Sequence, residues 1–146
     1  MRVVLDSNVW ISGLLFRGLP RQVLTLAELN RIQAYSSEPL LQELEEVLNY
    51  PKLQKKIRQL GTSADELLIV VRRLVQICPV AGVETFLELR DQDDLVVLAT
   101  AVAARAIVIV SGDQDLLILE NYAGVSIVNV SDFLSQYFSS EGDLGR

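Results

Sequence analysis

Four acidic residues stand where chemistry could be done. Asp6 closes the apolar run Arg2-Val-Val-Leu5, and Asp113 follows Ala106-Ile-Val-Ile-Val110 through Ser111 and Gly112. Asp94 opens the stretch Leu95-Val-Val-Leu-Ala99, with Asp91 and Asp93 just before it, and Glu43 sits in Leu41-Gln-Glu43-Leu44. Carboxylates gathered at one place repel unless something neutralises them. The usual neutraliser is Mg²⁺ or Mn²⁺, held by a few carboxylates, waters and a substrate phosphate. Each acid also has a plain structural reading. Asp94 suits the first turn of a helix, where its charge meets the helix dipole. Asp113 and Asp115 can start a helix, and Glu43 alone reads as an exposed helical acid. Asp6 shifts the balance towards a working cluster, because a carboxylate closing an all-apolar strand has no evident structural role.

Composition narrows the chemistry further. The chain has 146 residues and no histidine. That excludes Ser-His-Asp and Cys-His catalysis, histidine general bases and histidine-containing zinc sites. Cys78 is the single cysteine, which removes disulfides, Cys-rich zinc sites and CxxC redox chemistry and fits a reducing compartment. The longest apolar window, 95–110, is interrupted by Thr100 and Arg105 and is short for a bilayer span. With Asp6 breaking the first apolar run, no signal-peptide core is present. A cytoplasmic chain with no membrane association is expected.

The elements that must position these acids follow from periodicity. Arg2–Asp6 and Ala106–Val110 read as strands buried on both faces, which is parallel-sheet material. Ser7 or Asn8 is expected to cap a helix through Phe16, and Pro20 to open the next. A weaker strand at Ile32–Tyr35 leads to a helix capped by Ser36 or Ser37, with Leu40, Leu41, Leu44, Val47 and Leu48 at helical spacing. Pro51–Arg58 is a basic helix or turn. Ser63-Ala-Asp-Glu66 is a capping box for a helix to about Val75. An edge strand is expected at Gln76–Val80, a helix from Asp93 and Asp94 to Ala104, and a short helix at Gln114–Leu119. A last strand at Val125–Val130 and a helix capped by Ser131 complete the chain. Strands alternating with helices define an α/β class, a three-layer α/β/α sandwich around a mostly parallel sheet. The expected domain is residues 1–138, with 139–146 a flexible tail. In such sheets ligands sit beyond the carboxyl ends of the strands, where Asp6 and Asp113 fall.

The segments Val3-Val-Leu-Asp6-Ser-Asn8-Val9, Leu41-Gln-Glu43-Leu44, Asp94-Leu-Val-Val-Leu-Ala99-Thr-Ala101 and Ile109-Val-Ser111-Gly-Asp113-Gln-Asp115-Leu116 together resemble the PIN-domain family. The resemblance covers roughly residues 1 to 138. It is best to the compact bacterial members that serve as toxins of toxin–antitoxin pairs, akin to VapC. It implies a metal-dependent ribonuclease in which Asp6, Glu43, Asp94 and Asp113 are the conserved acids. Asp6, Asp94 and Asp113 would hold Mg²⁺ or Mn²⁺, with Glu43 completing the site. Asp115 is implied as an auxiliary ligand, and Ser111 as the hydroxyl that holds Asp6 or a water. Asn8 is the small polar neighbour of the first acid, and Asp91 and Asp93 are outer or solvated acids. A small antitoxin and a homodimer are implied as partners. Val9, Trp10, Leu14, Leu15 and Phe16 are candidates for apolar surface that an antitoxin helix would cover, Trp10 and Phe16 as its large anchors, against the plainer reading that all five face the core, which is the expected one for Leu14 and Leu15.

The net charge is −6, which argues against nucleic-acid binding through overall charge. The charge is uneven: residues 1–80 carry +2 and residues 81–146 carry −8. Lys52, Lys55, Lys56, Arg58, Arg72 and Arg73 are candidates for an RNA-facing edge, against the plainer reading of solvated helix faces. A haloacid-dehalogenase-like phosphatase would need an acid where Asn8 stands. That class and response-regulator receivers also need a lysine in the second half, and the last lysine is Lys56. No two glycines stand two apart, so nucleotide-binding loops of the GxG kind are absent. The alternative left open is a non-catalytic PIN-like module acting through protein contacts.

Overall fold

The computed structural model describes residues 1–80 and 92–138, and of Gln92 and Asp93 the backbone only. The expected tail and Asp91 lie outside the described residues. In chain order the elements are β1 (Arg2–Leu5), α1 (Ser7–Leu15), α2 (Leu19–Glu28), β2 (Gln33–Ser36), α3 (Glu38–Leu48), α4 (Pro51–Gln59) and α5 (Ala64–Leu74). They continue with β3 (Val75–Ile77), α6 (Gln92–Ala104), β4 (Val108–Val110), α7 (Gln114–Leu117), β5 (Asn121–Tyr122), β6 (Val125–Val128) and α8 (Val130–Tyr137).

The strands form one sheet in the order β3-β2-β1-β4-β6-β5. All neighbours are parallel except β5, which runs antiparallel to β6. The α/β class with a mostly parallel sheet is thus the observed one. The chain builds outward from β1 to β2 and β3, then returns to place β4 on the other side of β1. This makes the β1–β4 boundary a topological switch point, where parallel sheets leave a crevice at their carboxyl ends.

Alternation along the strands explains the layers. Val3 and Leu5 of β1, with Val108 and Val110 of β4, join a core shared with α1, α2, α5 and α8. Val4 and Ile109 point the other way, onto α6 and α7. All of these strand residues are fully buried apolar side chains, and each contributes roughly 1.5–3 kcal/mol relative to exposure.

Several boundaries depart from the sequence expectation. The edge strand is Val75–Ile77 rather than Gln76–Val80, its register set by Ala34 facing Val75 and Ser36 facing Ile77. Asn129, not Ser131, caps α8, accepting from Asp132 N at 2.7 Å. The last strand accordingly ends at Val128. The sequence pattern does not predict β5. Ala123 and Gly124, both at positive φ (50° and 83°), turn it back onto β6, the backbone a two-residue hairpin requires.

Trp10 does not serve as a surface anchor. It is 2% exposed and packed in the larger core with Val9 and Leu15, whereas Phe16, at the end of α1, is 48% exposed. The reason is helical phase: Trp10 lies on the face that carries Val9 and Gly13 inward, while Phe16 falls after the last turn.

Candidate active site at the carboxyl edge

Asp6 stands where β1 becomes α1. Its backbone N–H extends the sheet to Val110 O at 3.0 Å, and its carbonyl accepts the N–H groups of Val9 and Trp10. Its carboxylate caps α1, with Oδ1 accepting from Ser7 N at 2.8 Å. The cap is therefore Asp6 itself, not Ser7 or Asn8. Asp6 thus has a structural role that its position in the sequence does not reveal, because its charge meets the open N–H groups of a helix start.

The other oxygen, Oδ2, accepts from Ser111 Oγ at 2.7 Å and from Asn8 Nδ2 at 3.4 Å. Ser111 is fully buried, and its oxygen also accepts from Asp113 N at 3.0 Å. Asn8 Oδ1 accepts from Gly112 N at 3.1 Å. The turn after β4 is thus fastened to the turn after β1 by side chains. Asp113 in turn caps α7 through Asp115 N at 2.9 Å.

The other two acids arrive on helices. Ser37 caps α3 and lies fully buried against Thr100 of α6, with the two hydroxyls 2.7 Å apart. Thr100 Oγ1 donates to Val96 O, so the Ser37 hydroxyl is the donor of the pair. This buried link pins α3 to α6, and with them Glu43 to Asp94. Asp94, in the first turn of α6, is 8% exposed.

Asp6, Glu43, Asp94 and Asp113 all line one cleft of about 180 Å³, together with Ser7, Asn8, Ile11 and Val47. Four elements from distant parts of the chain contribute to it. Ser111 backs the cleft from behind Asp6. Asp115 is exposed and does not line it. Ile11 and Val47 are apolar walls that sequence reasoning misses. The signal that could find them is spacing: Val47 is four residues after Glu43 and Ile11 three after Asn8, on the same helix faces. A second groove, of about 420 Å³, shares Asn8 and runs between Ser12, Ser111, Asn129 and Ser131.

Every polar donor facing the acidic cleft is oxygen or amide, the set a hard cation takes. Among the described residues no three acidic, histidine or cysteine side chains stand close enough to hold an ion directly. The donor set, carboxylate and hydroxyl or amide oxygens, is of the kind a Mg²⁺- or Mn²⁺-sized ion takes.

The basic edge is partly taken. Arg72 is held by Glu38 through two hydrogen bonds at 2.8 and 3.0 Å. That pair keeps the Glu38 carboxyl below its usual range. Lys52, Lys55 and Arg58, on α4, are exposed, and among the described residues they form no ion pair.

The fold and the acidic crevice define a class of domain, and sequence comparison agrees: the PIN-domain family profile matches residues 2–115. The chain belongs to the PIN-domain family, whose members are typically nucleases. It is similar to the uncharacterized protein MJ1680 of Methanocaldococcus jannaschii, an archaeal relative, at 29% identity over 123 residues, 83% of this chain and 76% of the relative. Its fold is similar to VapBC2 from Rickettsia felis, solved bound to a DNA fragment from their promoter, with TM-score 0.61 and 16% identity, covering 88% of this chain and 98% of that one. It is also similar to PAE2754 from Pyrobaculum aerophilum, with TM-score 0.58 and 15% identity, covering 96% and 100%. Among the described residues no helix is long and apolar enough to cross a membrane.

Proposed function

We propose that this chain is a metal-dependent ribonuclease and the toxin of a toxin–antitoxin pair. The observation that carries the reading is the single cleft into which four elements deliver Asp6, Glu43, Asp94 and Asp113. Asp6, Asp94 and Asp113 would hold Mg²⁺ or Mn²⁺, partly through water. Once bound, the ion would supply an activated water and offset charge building on the phosphoryl oxygens. Glu43, which lines the same cleft, would complete the site as a second-metal ligand or by orienting the attacking water. Ser7 N on Oδ1 and Ser111 and Asn8 on Oδ2 hold the Asp6 carboxylate in one rotamer, so an ion would take the lone pairs these bonds leave. Water attack in line with the leaving ribose oxygen leaves a 5′-phosphate and a 3′-hydroxyl.

The test is cleavage of single-stranded RNA by the purified chain with Mg²⁺ or Mn²⁺ against EDTA, with end-group analysis. Asp6→Asn and Asp94→Asn are expected to abolish cleavage while the circular dichroism spectrum stays native. Wild-type rates in either variant would refute the assignment. A 2′,3′-cyclic phosphate product would refute the water-attack route.

An antitoxin is supported by the VapBC2 likeness and by the cleft's charge, which favours a cationic group presented by a partner. Expression alone should slow growth, and co-expression of a small protein encoded next door should relieve it. A homodimer and a cytoplasmic location belong to the same proposal. Ile69 and Val70 of α5 and Ile77 of β3 are exposed apolar residues that a dimer contact could cover, and light scattering reads it out.

A non-catalytic module is the second reading. It is favoured by one observation: Asp6 and Asp113 both serve as helix caps. Titration of Mn²⁺ into the purified chain separates the two, since caps alone bind no ion.

A further inference from the structure

We propose that Phe16 and Lys56 form a stacking platform for an unpaired RNA base, with α4 carrying the adjoining backbone phosphates. The inference rests on the ribonuclease reading and adds where the substrate lies outside the acidic cleft.

Phe16 ends α1, and its ring is about half exposed. The Lys56 ammonium sits 5.1 Å from the ring centroid. This contact joins the end of α1 to α4. Helix α1 begins at Asp6, inside the cleft, and Ile11 along it is a cleft wall. Phe16 lies ten residues on, about 15 Å along the helix axis at 1.5 Å per residue. Val47 of α3, the facing wall, precedes α4 by one short connection. The two helices that flank the acids therefore lead to the Phe16–Lys56 contact.

The charge on α4 points to the occupant. Its nine residues include Lys52, Lys55, Lys56 and Arg58 and no acid. In a chain of net charge −6 this is a local cationic strip, and unlike Arg72 its exposed members are not neutralised by a described carboxylate. A polyanion is drawn to such a strip, and its counterion release gives binding a salt dependence. An aromatic face next to it takes a base by stacking, with the cation adding to the attraction. Single-stranded RNA supplies both groups on one chain. An apolar partner helix seated on Phe16 would instead have to bury the Lys56 ammonium, a desolvation cost with no matching charge.

The experiment is fluorescence anisotropy of a labelled short oligouridine with the full chain in Ca²⁺, over a salt series. Phe16→Ala is expected to weaken binding by about 5- to 100-fold, the effect of one lost base–aromatic stack, with the salt slope unchanged. Phe16→Trp should bind at least as well as wild type. Lys55→Ala, on the exposed strip, should lower the slope of log K against log salt by about 0.7, one single-strand phosphate. A duplex of matched length should show no dependence on Phe16. Thermal melting checks that Phe16→Ala is folded, which its exposure favours.

Affinity of Phe16→Ala within about twofold of wild type overturns the platform, because a lost stack is worth more than that. An equal loss on duplex RNA also overturns it. Protection of Phe16 by a copurifying protein while RNA binding ignores the ring assigns the surface to that protein and likewise overturns it. The two proposals fail separately. Phe16-dependent binding without metal-dependent cleavage keeps the platform and removes the nuclease. Cleavage with Phe16-independent binding does the reverse.

Discussion

Removing the Ser111 hydroxyl tests whether the site's geometry is built by the turn after β4. The fully buried hydroxyl donates to Asp6 Oδ2 at 2.7 Å, and its oxygen accepts from Asp113 N at 3.0 Å. A hydrogen bond to a charged group contributes about 1.5–3 kcal/mol and a neutral one about 1 kcal/mol. Asp113 N stands at a partly exposed turn, where water can replace its partner, so most of the loss falls on Asp6. Ser111→Ala is therefore expected to destabilise the chain by about 2–3 kcal/mol. In urea, with a slope of about 2 kcal/mol per M, the midpoint falls by about 1 M at unchanged slope. The same substitution in an Asp6→Asn background should cost about 1 kcal/mol less, since the acceptor is then neutral. Asn is as good a helix cap as Asp, so α1 itself is preserved in that background. A midpoint shift below about 0.3 M, or equal costs in the two backgrounds, would refute the claim that Ser111 acts through the Asp6 carboxylate.

Three further outcomes follow from the structure. Asp115→Ala should keep RNA cleavage within about threefold of wild type, about 0.7 kcal/mol in barrier, because Asp115 is exposed and outside the cleft, whereas Asp113→Ala should abolish it; equal loss in both would make Asp115 a ligand. Gly13→Ala should lower the melting temperature, since a Cβ there meets Leu24 Cδ1 at 2.7 Å and the backbone Pro20 O at 3.0 Å, which cannot swing aside as a side chain can, and overpacking of about 2–3 kcal/mol exceeds the roughly 1 kcal/mol helix gain of alanine. Burial pushes the Cys78 thiol above its ordinary range. The folded state thus favours the neutral thiol, so its contribution is complete below the unfolded pKa and is lost as pH rises towards the folded one. Stability curves of wild type and Cys78→Ser should converge through that alkaline window, and thiol labelling should be slower folded than unfolded.

Local pattern determined much of this protein. The apolar runs at Val3–Leu5 and Val108–Val110 spell out buried parallel strands, and the Ser37 and Ser63 caps with helical leucine spacing mark α3 and α5, because period and capping are short-range properties of the chain. The acids after two strands are legible for the same reason. What the sequence could not encode locally was convergence. Glu43 and Asp94 share a cleft with Asp6 only because β4 inserts beside β1 and because Ser37 meets Thr100 across α3 and α6. That arrangement is set by strand order, which no single segment carries. The departures from the sequence expectation have the same origin. Trp10 and Phe16 look alike as apolar residues, and packing alone buries one and leaves the other in solvent. Arg72 reads as a free cation until α5 brings it to Glu38, 34 residues away. The β5 hairpin turns on Ala123-Gly124 rather than on an asparagine–glycine pair, so its strand stays hidden until β6 supplies the partner. Asp6 combines both kinds of information. Its place after an apolar strand is written in the sequence, while its double role, capping α1 and facing the cleft, arises where the sheet edge and the helix start meet.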